Sequence, residues 1–316
     1  MARNKLIFGP VKSRRLGRSL GLELVPKKVC SMDCVYCEVG RTTDLTLKRG
    51  EYYPWEKIEE AILSASKIQE RFDVFTFTGS GEPTLNSFFE EAVKLAKKFI
   101  KKPLALLTNS SLLWVESVRK AVCEFDIVLP SLDAGIEEVF LRVNQPCKEL
   151  SLKMIIEGLE ALCKEKKRGV WIEVLLVKGI NDDLENLKAI KEILKKLSPE
   201  KVQLNTVVRP GALSGISPLS YEELRKVAEF LGENAEVVVD SASIDRFKKL
   251  VEKGINRKRL EEELIEYIKR RPATFEELLS ALETEEKALS LVIDALLKEN
   301  KIQKKLHENK TYYIVY

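Results

Sequence analysis

Residues 30–37 read Cys-Ser-Met-Asp-Cys-Val-Tyr-Cys, so three cysteines stand in the spacing C-x3-C-x2-C. The segment follows a short β-branched run at Leu20–Val25 and the turn at Pro26-Lys27-Lys28. Iron–sulfur clusters are held by cysteine thiolates, usually four of them. Three thiolates on one loop can bind one side of a cubane and leave one iron open to a small molecule with an amine and a carboxylate. The spacing therefore predicts a [4Fe–4S] cluster at Cys30, Cys34 and Cys37.

Residues 30–37, here called the cysteine loop, follow the first strand of a repeated pattern of strands and helices. Because strand-then-helix order indicates a parallel sheet with crossover helices, six repeats favour a partial (β/α)6 TIM-like barrel over an open doubly wound sheet. In either fold the active site lies at the carboxyl ends of the strands. The predicted strands are Leu20–Val25, Val74–Thr78, Leu104–Thr108, Ile127–Leu132, Val170–Val177 and Val202–Val208. The predicted helices are Pro54–Arg71, Ser87–Lys101, Leu113–Glu124, Leu150–Lys166 and Asp183–Leu197.

A second domain is predicted after the barrel. A short strand at Glu236–Val239 and a helix near Ile244–Glu252 extend the first domain, and Gly254 marks a break. We therefore divide the chain into a barrel at 1–254 and a small domain at 255–316. Three helices and a two-stranded hairpin in that small domain predict a winged helix. The predicted helices are Arg257–Lys269, a second that begins at a capping box of Thr274 and Glu277 and reaches about Leu282, and Glu285–Glu299. The predicted hairpin consists of the strands Ile302–Leu306 and Thr311–Val315, with a turn at Glu308-Asn309.

The charge of this winged helix does not favour duplex DNA. Residues 255–316 contain 12 Lys and Arg against 12 Asp and Glu. The helix that would enter the major groove begins Glu283-Thr284-Glu285-Glu286, which would repel phosphates. Protein docking, packing, and RNA contact through the lysines of the hairpin stay open. An iron–sulfur DNA-binding sensor is the least favoured reading.

The residue counts exclude several chemistries. The chain has 316 residues, six cysteines and one histidine, His307, which stands in a lysine-rich surface turn. Zinc or iron sites built from several histidines, and a catalytic triad, are therefore disfavoured. Zinc on the cysteine loop would want a fourth ligand, and the next cysteine is Cys123.

The composition indicates where the protein works. No apolar run approaches the ~20 residues of a membrane span, and Met1–Lys5 leads into no secretory signal. We expect no membrane partner and a cytoplasmic, reducing location. Clustered cysteines there are more often metal ligands than disulfides.

Positive charge concentrates near the cysteine loop. Residues 1–50 contain 11 Lys and Arg and four acids, a difference of 11 − 4 = +7, although the whole chain carries +4. We expect Arg14, Arg15 and Arg18, and Arg209 at the end of the last strand, to face an anionic substrate such as RNA, a nucleotide or a carboxylate. A solvated basic face is the alternative.

With these motifs, residues 1–250 resemble the radical S-adenosylmethionine superfamily. Thr78-Gly79-Ser80-Gly81-Glu82-Pro83 is similar to the Gly-Gly-Glu segment that holds the methionine amino group in that superfamily. The resemblance implies that S-adenosylmethionine chelates the open iron, that an external donor supplies an electron, and that a 5′-deoxyadenosyl radical abstracts hydrogen from a substrate. The cofactor-binding residues it implies are Tyr36, Gly79, Ser80, Gly81, Glu82, Asn109, Ser131, Asp133, Asn205 and Val207.

A narrower resemblance is to the iron–sulfur oxidoreductases related to wyosine-base synthases of tRNA. It rests on Phe8–Gly21, Cys30–Cys37, Gly40-Arg41-Thr42, Gly79–Leu85 and Ser131–Gly135. This resemblance implies tRNA as a substrate, with a protein substrate as the alternative. Archaeal wyosine-base synthases carry additional cysteines for a second cluster, whereas no cysteine precedes Cys30 here.

The other three cysteines match no common cluster motif. Cys123 and Cys163 fall in amphipathic helices beside apolar neighbours, as buried structural thiols do. Cys147 follows Asn144-Gln145-Pro146 in a loop after the fourth strand and could approach the mouth of the barrel.

Overall fold

The computed structural model describes residues 6–209, 211–270, 272–282, 284–307 and 310–315. The chain divides into two compact units, Met1–Phe247 and Lys248–Tyr316. The boundary predicted after residue 254 lies seven residues farther along. Some predictions concern parts outside the described residues: Met1–Lys5, Glu283, the turn at Glu308-Asn309 and the side chain of His307.

The first unit is built mainly on parallel strands. The strands are β1 Ile7–Ser13, β2 Gly17–Leu22, β3 Val29–Cys30, β4 Asp44–Leu45, β5 Val74–Phe77, β6 Leu104–Thr108, β7 Ile127–Pro130, β8 Trp171–Leu176, β9 Lys201–Thr206 and β10 Ala235–Val237. One sheet has the order β1-β2-β5-β6-β7, with β1 antiparallel to β2 and the other neighbours parallel, and another has the order β10-β9-β8. Parallel bridges from Val128 to Val170 and from Ser131 to Glu173 join these two sheets. Strands β3 and β4 form a separate two-stranded parallel sheet. The predicted α/β class with a partial parallel sheet is confirmed.

Helices connect these strands and cover the outer face of the sheet. They are α1 Trp55–Ser66, α2 Phe89–Phe99, α3 Glu116–Cys123, α4 Glu137–Val143, α5 Leu152–Glu165, α6 Leu184–Leu197 and α7 Tyr221–Leu231. A further helix, α8 Ser241–Arg270, begins in this unit and continues into the second. Phe77 of β5 packs edge-on against Phe89 of α2 and against Phe125, with ring centroids 6.1 Å and 5.0 Å away. All three rings are buried, so the helices are fixed to the sheet by apolar contact.

Several elements differ from the sequence predictions. Strand β1 was not predicted because Gly9 and Pro10 interrupt its pattern and its middle residues are exposed, as an edge strand allows. Helices α4 and α7 were not predicted either. The helix predicted at Pro54–Arg71 ends at Ser66 and is followed by a separate 3-10 turn at Gln69–Arg71.

The inner face of the sheet is closed at its amino-terminal edge by the β1–β2 hairpin. Leu16, in the turn of that hairpin, is buried in a cluster with Val74, Ala105 and Leu129, and Trp171 packs against this cluster. These residues come from β5, β6, β7 and β8. The space at the opposite, carboxyl edge is consequently the open end.

The second unit has its own core. Helix α8 runs without interruption through Gly254, so the predicted break there is wrong. An interior glycine costs a helix only about 1 kcal/mol relative to alanine, too little to end one by itself. The following elements are α9 Phe275–Ala281, α10 Glu286–Lys298, β11 Ile302–His307 and β12 Lys310–Val315, packed around buried Leu264, Leu289, Leu296 and Ile302. The assignment of these elements as a winged helix stays a prediction. None of the described helices is long and apolar enough to span a membrane.

Candidate functional site

A cavity of about 340 Å³ lies at the carboxyl ends of the parallel strands. The cysteine loop forms one part of its wall, and β5, β6, β7, β8 and β9, with the segments that follow them, contribute to the rest. The predicted site residues that line it are Cys30, Cys34, Tyr36, Cys37, Gly79, Ser80, Gly81, Glu82, Asn109, Ser131, Asn205, Val207 and Arg209. Residues far apart in the sequence therefore meet at this cavity.

The cysteine loop is held by backbone hydrogen bonds to two other segments of the chain. The Asp33 amide donates to the Asn144 carbonyl at 3.0 Å, and the Val35 amide donates to the Val143 carbonyl at 3.0 Å. The Leu213 amide donates to the Val35 carbonyl at 2.9 Å. A segment without regular structure is thereby fixed in one conformation, because its peptide groups are paired with neighbouring elements.

Each of the three loop sulfurs accepts an N–H from a different side chain. Asn109 Nδ2 lies 3.4 Å from Cys30 Sγ, Asn144 Nδ2 lies 3.4 Å from Cys34 Sγ, and Lys28 Nζ lies 3.2 Å from Cys37 Sγ. Hydrogen bonds to sulfur are one of the means by which proteins hold and tune iron–sulfur clusters. The donor set of three thiols, each with its own N–H, fits the predicted cluster.

Burial of Cys30 and Cys34 acts against the ionisation of these two thiols by raising their pKa values. Burial raises the pKa of Cys30 to about 11 and also raises the pKa of Cys34, while the acids Glu82 and Asp133 add to the effect on Cys30 and Cys34 respectively. Thiolates at these positions need a positive partner, which cluster iron supplies. No three His, Cys, Asp or Glu side chains among the described residues converge on one metal-ion position.

The Gly79–Glu82 segment lies directly against the cysteine loop. The Lys28 amide donates to the Ser80 carbonyl at 2.9 Å, and the Glu82 amide donates to the Val29 carbonyl at 3.1 Å. A Cβ atom on Gly81 would stand 2.1 Å from the Val29 carbonyl oxygen. Only glycine allows this approach, so the residue type predicted from the motif is required by the packing.

Glu82 ties the end of β5 to the end of β6. Its carboxylate is buried and accepts hydrogen bonds from the Thr84 hydroxyl at 2.6 Å, the Thr108 hydroxyl at 2.8 Å and the Asn109 amide at 2.7 Å. Burial raises the pKa of this carboxyl, and the hydrogen bonds oppose that shift. Glu82 thus orders the two strand ends that face the cavity.

Glu23 is a site residue that the sequence analysis missed. Its Oε1 accepts from the Ser80 amide at 2.8 Å and from the Ser80 hydroxyl at 2.6 Å. The residue directly follows β2, so a search for polar residues at the ends of strands would have found it. The strand predicted there extended to Val25 and hid this position.

The comparisons with known proteins agree with this geometry. The sequence model of the radical SAM superfamily matches residues 24–190, more than half of the chain. The chain belongs to the radical SAM superfamily. Members of the superfamily use a [4Fe–4S] cluster and S-adenosylmethionine, so this radical SAM protein is an enzyme with those two cofactors.

Individual relatives define what this radical SAM protein is similar to. A UPF0026 protein of Methanocaldococcus jannaschii is 33% identical over 98% of this chain and 95% of its own length. A protein named GTPase Obg from Brachyspira hyodysenteriae is 32% identical over 99% of this chain, which spans only 45% of that protein. A probable dual-specificity RNA methyltransferase RlmN from Prochlorococcus marinus is 23% identical over 52% of this chain and 49% of its own length.

A solved structure shares the fold. The radical SAM methyltransferase from Sphaerobacter thermophilus superposes with a TM-score of 0.52, covers 69% of this chain and 65% of its own, and is 18% identical. At that identity the likeness shows the fold alone.

Asp133 lies beneath the cysteine loop of the radical SAM protein rather than on the cavity wall. It is buried and accepts from the Tyr36 hydroxyl, from Asn144 Nδ2 at 2.8 Å and from the Leu175 amide at 2.9 Å. Asp133 was predicted to contact the cofactor, but its oxygens hold the Tyr36 and Asn144 side chains. Asn144, which the sequence analysis did not select, donates in turn to Cys34.

The Asp133 carboxyl makes folding depend on pH. Burial raises its pKa from an ordinary value of 3.8 to about 6, while the Tyr36 and Asn144 hydrogen bonds act the other way. Because the folded pKa exceeds the unfolded pKa, this contribution to stability is present below pH 3.8 and is lost as pH rises through about 6. We expect the free energy of unfolding of the wild type, relative to Asp133→Asn, to fall by about 3 kcal/mol over that range. Urea titrations of both proteins across this pH range measure it, and parallel pH profiles would contradict it.

The three arginines expected at the substrate do not lie together at the cavity. Arg18 donates to Asp73 at the amino-terminal edge of the sheet, with Nη2 2.8 Å from Oδ1, and Arg14 is exposed in the same hairpin. The strands run from that edge towards the cysteines, so the prediction that Arg14 and Arg18 face the site is wrong. Sequence proximity misled because β2 separates them from the loop.

Arg15 instead points to the inner face of the sheet. Its Nη1 lies 2.9 Å from Glu173 Oε1, and Asn205 Nδ2 donates to the same oxygen at 3.0 Å. Glu173 and Asn205 both line the cavity, so this ion pair forms part of its floor. Arg15 therefore forms an ion pair with the Glu173 carboxylate and is not available to bind an anionic substrate in the cavity.

Removing Arg15 should be costly because it leaves Glu173 without its counter-charge. The two side chains are only 16% and 15% exposed, against 54% and 47% for Arg18 and Asp73. We expect Arg15→Met to lower the free energy of unfolding by about 3 kcal/mol. Arg18→Met, in the same hairpin, should change the free energy of unfolding little, because exposed ion pairs contribute little to stability. Chemical denaturation of both variants makes the comparison, and equal losses would contradict it.

At the mouth of the cavity an ion pair joins two loops. Arg209 Nη1 lies 2.6 Å from Glu38 Oε2, so the segment after β9 is linked to the cysteine loop. Both residues line the cavity, and the Arg209 side chain is 70% exposed.

Cys147 is buried behind the cysteine loop, where its amide donates to the Ser31 carbonyl at 3.0 Å, and it does not line the cavity.

Proposed function

We propose that Cys30, Cys34 and Cys37 hold the [4Fe–4S] cluster and that the adjoining cavity binds S-adenosylmethionine. The observation that carries this proposal is the set of three loop sulfurs, each facing its own N–H donor, beside a glycine segment packed onto the same loop. When bound, the two cofactors supply reductive cleavage of the sulfonium, which yields a 5′-deoxyadenosyl radical able to take hydrogen from a substrate. An external one-electron donor is required.

The residues of the chain orient the cofactor and shield it. Gly79 and Gly81 keep the backbone of this segment close to its neighbours, because a Cβ would stand 2.7 Å from Glu23 Cγ at Gly79 and 2.1 Å from the Val29 carbonyl oxygen at Gly81. Ser80, between them, is held by its hydrogen bonds to Glu23. Asn205 and Val207, at the end of β9, form the wall where the resemblance places the adenine. Ser131 contributes the end of β7. These assignments are part of the proposal.

For the substrate we favour RNA, tRNA being the first candidate. Two things support this choice: the relative named as an RNA methyltransferase, and the resemblance to wyosine-base synthases. The corrected positions of Arg14 and Arg18 remove the charge argument that pointed to the same class. Arg209, exposed at the mouth, is the cation that we propose to meet the incoming substrate. The six free cysteines are consistent with the cytoplasm, where we place the enzyme.

The substrate proposal is tested by comparing nucleosides. Total RNA from a deletion strain, from its parent, and from strains complemented with wild-type protein or with Cys34→Ala would be digested and analysed by mass spectrometry. We expect one modified nucleoside to be absent from the deletion and Cys34→Ala strains and restored by the wild type. Identical nucleoside profiles in all four strains would contradict an RNA substrate.

A protein substrate is the second candidate. The second unit exposes two large apolar side chains, Leu291 at 60% and Leu306 at 71%, whose apolar area a docked protein would cover. Binding of a cellular protein that persists after RNase treatment and is lost in a Leu291→Ser, Leu306→Ser variant would favour it over RNA.

A further inference from the structure

Lys28 is a buried lysine at the edge of the cysteine loop. The residue is only 5% exposed, and it lines the cavity. Its Nζ donates to Cys37 Sγ at 3.2 Å. A buried ammonium is unfavourable unless a negative group faces it, so buried lysines are normally paired with carboxylates.

Among the residues that the structure describes, no Asp or Glu forms an ion pair with Lys28, and its one side-chain hydrogen bond is to the sulfur. Its neighbour Lys27 is exposed, as surface lysines usually are, so burial distinguishes Lys28 from it. The negative charge that faces the Lys28 ammonium must therefore come from the cysteine site itself. A cluster held by three thiolates is anionic and provides that charge.

The backbone keeps Lys28 in this position. Its amide donates to the Ser80 carbonyl at 2.9 Å, and its carbonyl accepts from the Thr43 amide at 3.2 Å and the Asp44 amide at 3.1 Å. Its φ of 65° lies in the left-handed region, which a lysine rarely adopts. The side chain is thus aimed at Cys37 by a conformation that the surrounding hydrogen bonds maintain.

We propose that Lys28 is a positioning residue that supplies the positive counter-charge to the cluster through Cys37 and raises the reduction potential of the cluster. The inference rests on the proposed cluster ligands. Reduction adds one electron from an external donor, moves no proton at Lys28, and makes the cluster more negative. A fixed ammonium beside it in a poorly solvated site therefore stabilises the reduced form more than the oxidised form.

The other two sulfur contacts have a different electrostatic character. Asn109 and Asn144 donate neutral amide N–H groups to Cys30 and Cys34. Lys28 alone among these three donors carries charge. A change that removes the charge and keeps the shape at position 28 should consequently affect the potential more than loss of a neutral hydrogen bond would.

The test is a redox titration of reconstituted protein, with dithionite as the reductant and EPR of the reduced cluster as the readout, in the absence of S-adenosylmethionine. Lys28→Met is compared with wild type and with Lys27→Met, a matched control on the adjacent, exposed residue. At a fixed potential we expect about tenfold less reduced cluster in Lys28→Met, which for a one-electron couple is a shift of about 59 mV to lower potential. Lys27→Met should titrate as the wild type does, and Lys28→Arg should lie nearer to wild type than to Lys28→Met.

The outcomes separate this inference from the function on which it rests. A wild type that binds no cluster would overturn both. A full cluster in Lys28→Met with an unchanged potential would overturn the role of Lys28 alone. If Lys28→Met loads poorly, Lys28→Gln gives the same comparison, since it keeps an N–H donor and removes only the charge. A potential in Lys28→Gln equal to that of wild type would then overturn the inference, and a lower potential would support it.

Discussion

Replacing Cys34 with alanine is expected to lower the affinity for the cluster by at least about 100-fold and to abolish reductive cleavage of S-adenosylmethionine. Cys34 is the middle thiol of the loop, and its sulfur accepts from Asn144, which Asp133 holds in place. Loss of this ligand leaves two thiolates for the cubane. Iron and acid-labile sulfide per chain after anaerobic reconstitution, and the visible absorption of the cluster, measure the loss.

The matched control is Cys163→Ala. Cys163 lies on α5, away from the cavity that holds the cysteine loop, and its thiol is half-buried. This variant should load iron and sulfide as the wild type does. A full cluster in Cys34→Ala, or equal loss in both variants, would contradict the assignment of the ligands.

Replacing Gly81 with alanine is expected to destabilise the protein and to weaken binding of S-adenosylmethionine together. The new Cβ would stand 2.1 Å from the Val29 carbonyl oxygen and 2.8 Å from Val25 Cγ2. The backbone must move, which breaks the pair of hydrogen bonds that joins Lys28, Val29, Ser80 and Glu82. Overpacking of this kind costs about 1–3 kcal/mol, and a displaced segment should lose at least about tenfold in affinity for the cofactor.

Gly50→Ala provides the control for this experiment. A Cβ on Gly50 would meet only the Tyr52 ring, at 3.7 Å, which is an ordinary contact. Thermal unfolding and equilibrium dialysis of S-adenosylmethionine should show a large change for Gly81→Ala and a small one for Gly50→Ala. Wild-type stability and affinity in Gly81→Ala would contradict the close packing of the glycine segment onto the cysteine loop.

The parts of the site that the sequence predicted are those carried by local pattern. The three cysteines share one loop, and Gly79–Glu82 and Asn109 directly follow strands, so parallel pairing brings them to one edge. The order of the strands followed from the alternation of strand and helix, because parallel neighbours need crossover connections. Those two local signals sufficed to place the cavity.

The remainder depended on distances that the sequence does not display. Asn144 lies 110 residues from Cys34, and Asp133 lies 97 residues from Tyr36. Lys27 and Lys28 are adjacent lysines, and the sequence does not show that Lys28 is buried while Lys27 is exposed. Arg18 is close to the loop in sequence, but it stands at the other edge of the sheet because β2 runs between them.

Formation of 5′-deoxyadenosine tests the central claim most directly. Protein reconstituted with iron and sulfide would be reduced with dithionite, mixed with S-adenosylmethionine and analysed by chromatography, with Cys34→Ala and Cys163→Ala run beside it. We expect 5′-deoxyadenosine from the wild type and from Cys163→Ala, and none above background from Cys34→Ala. A fully loaded and reduced wild type that forms no 5′-deoxyadenosine would contradict the assignment of Cys30, Cys34 and Cys37 to a cluster that cleaves S-adenosylmethionine.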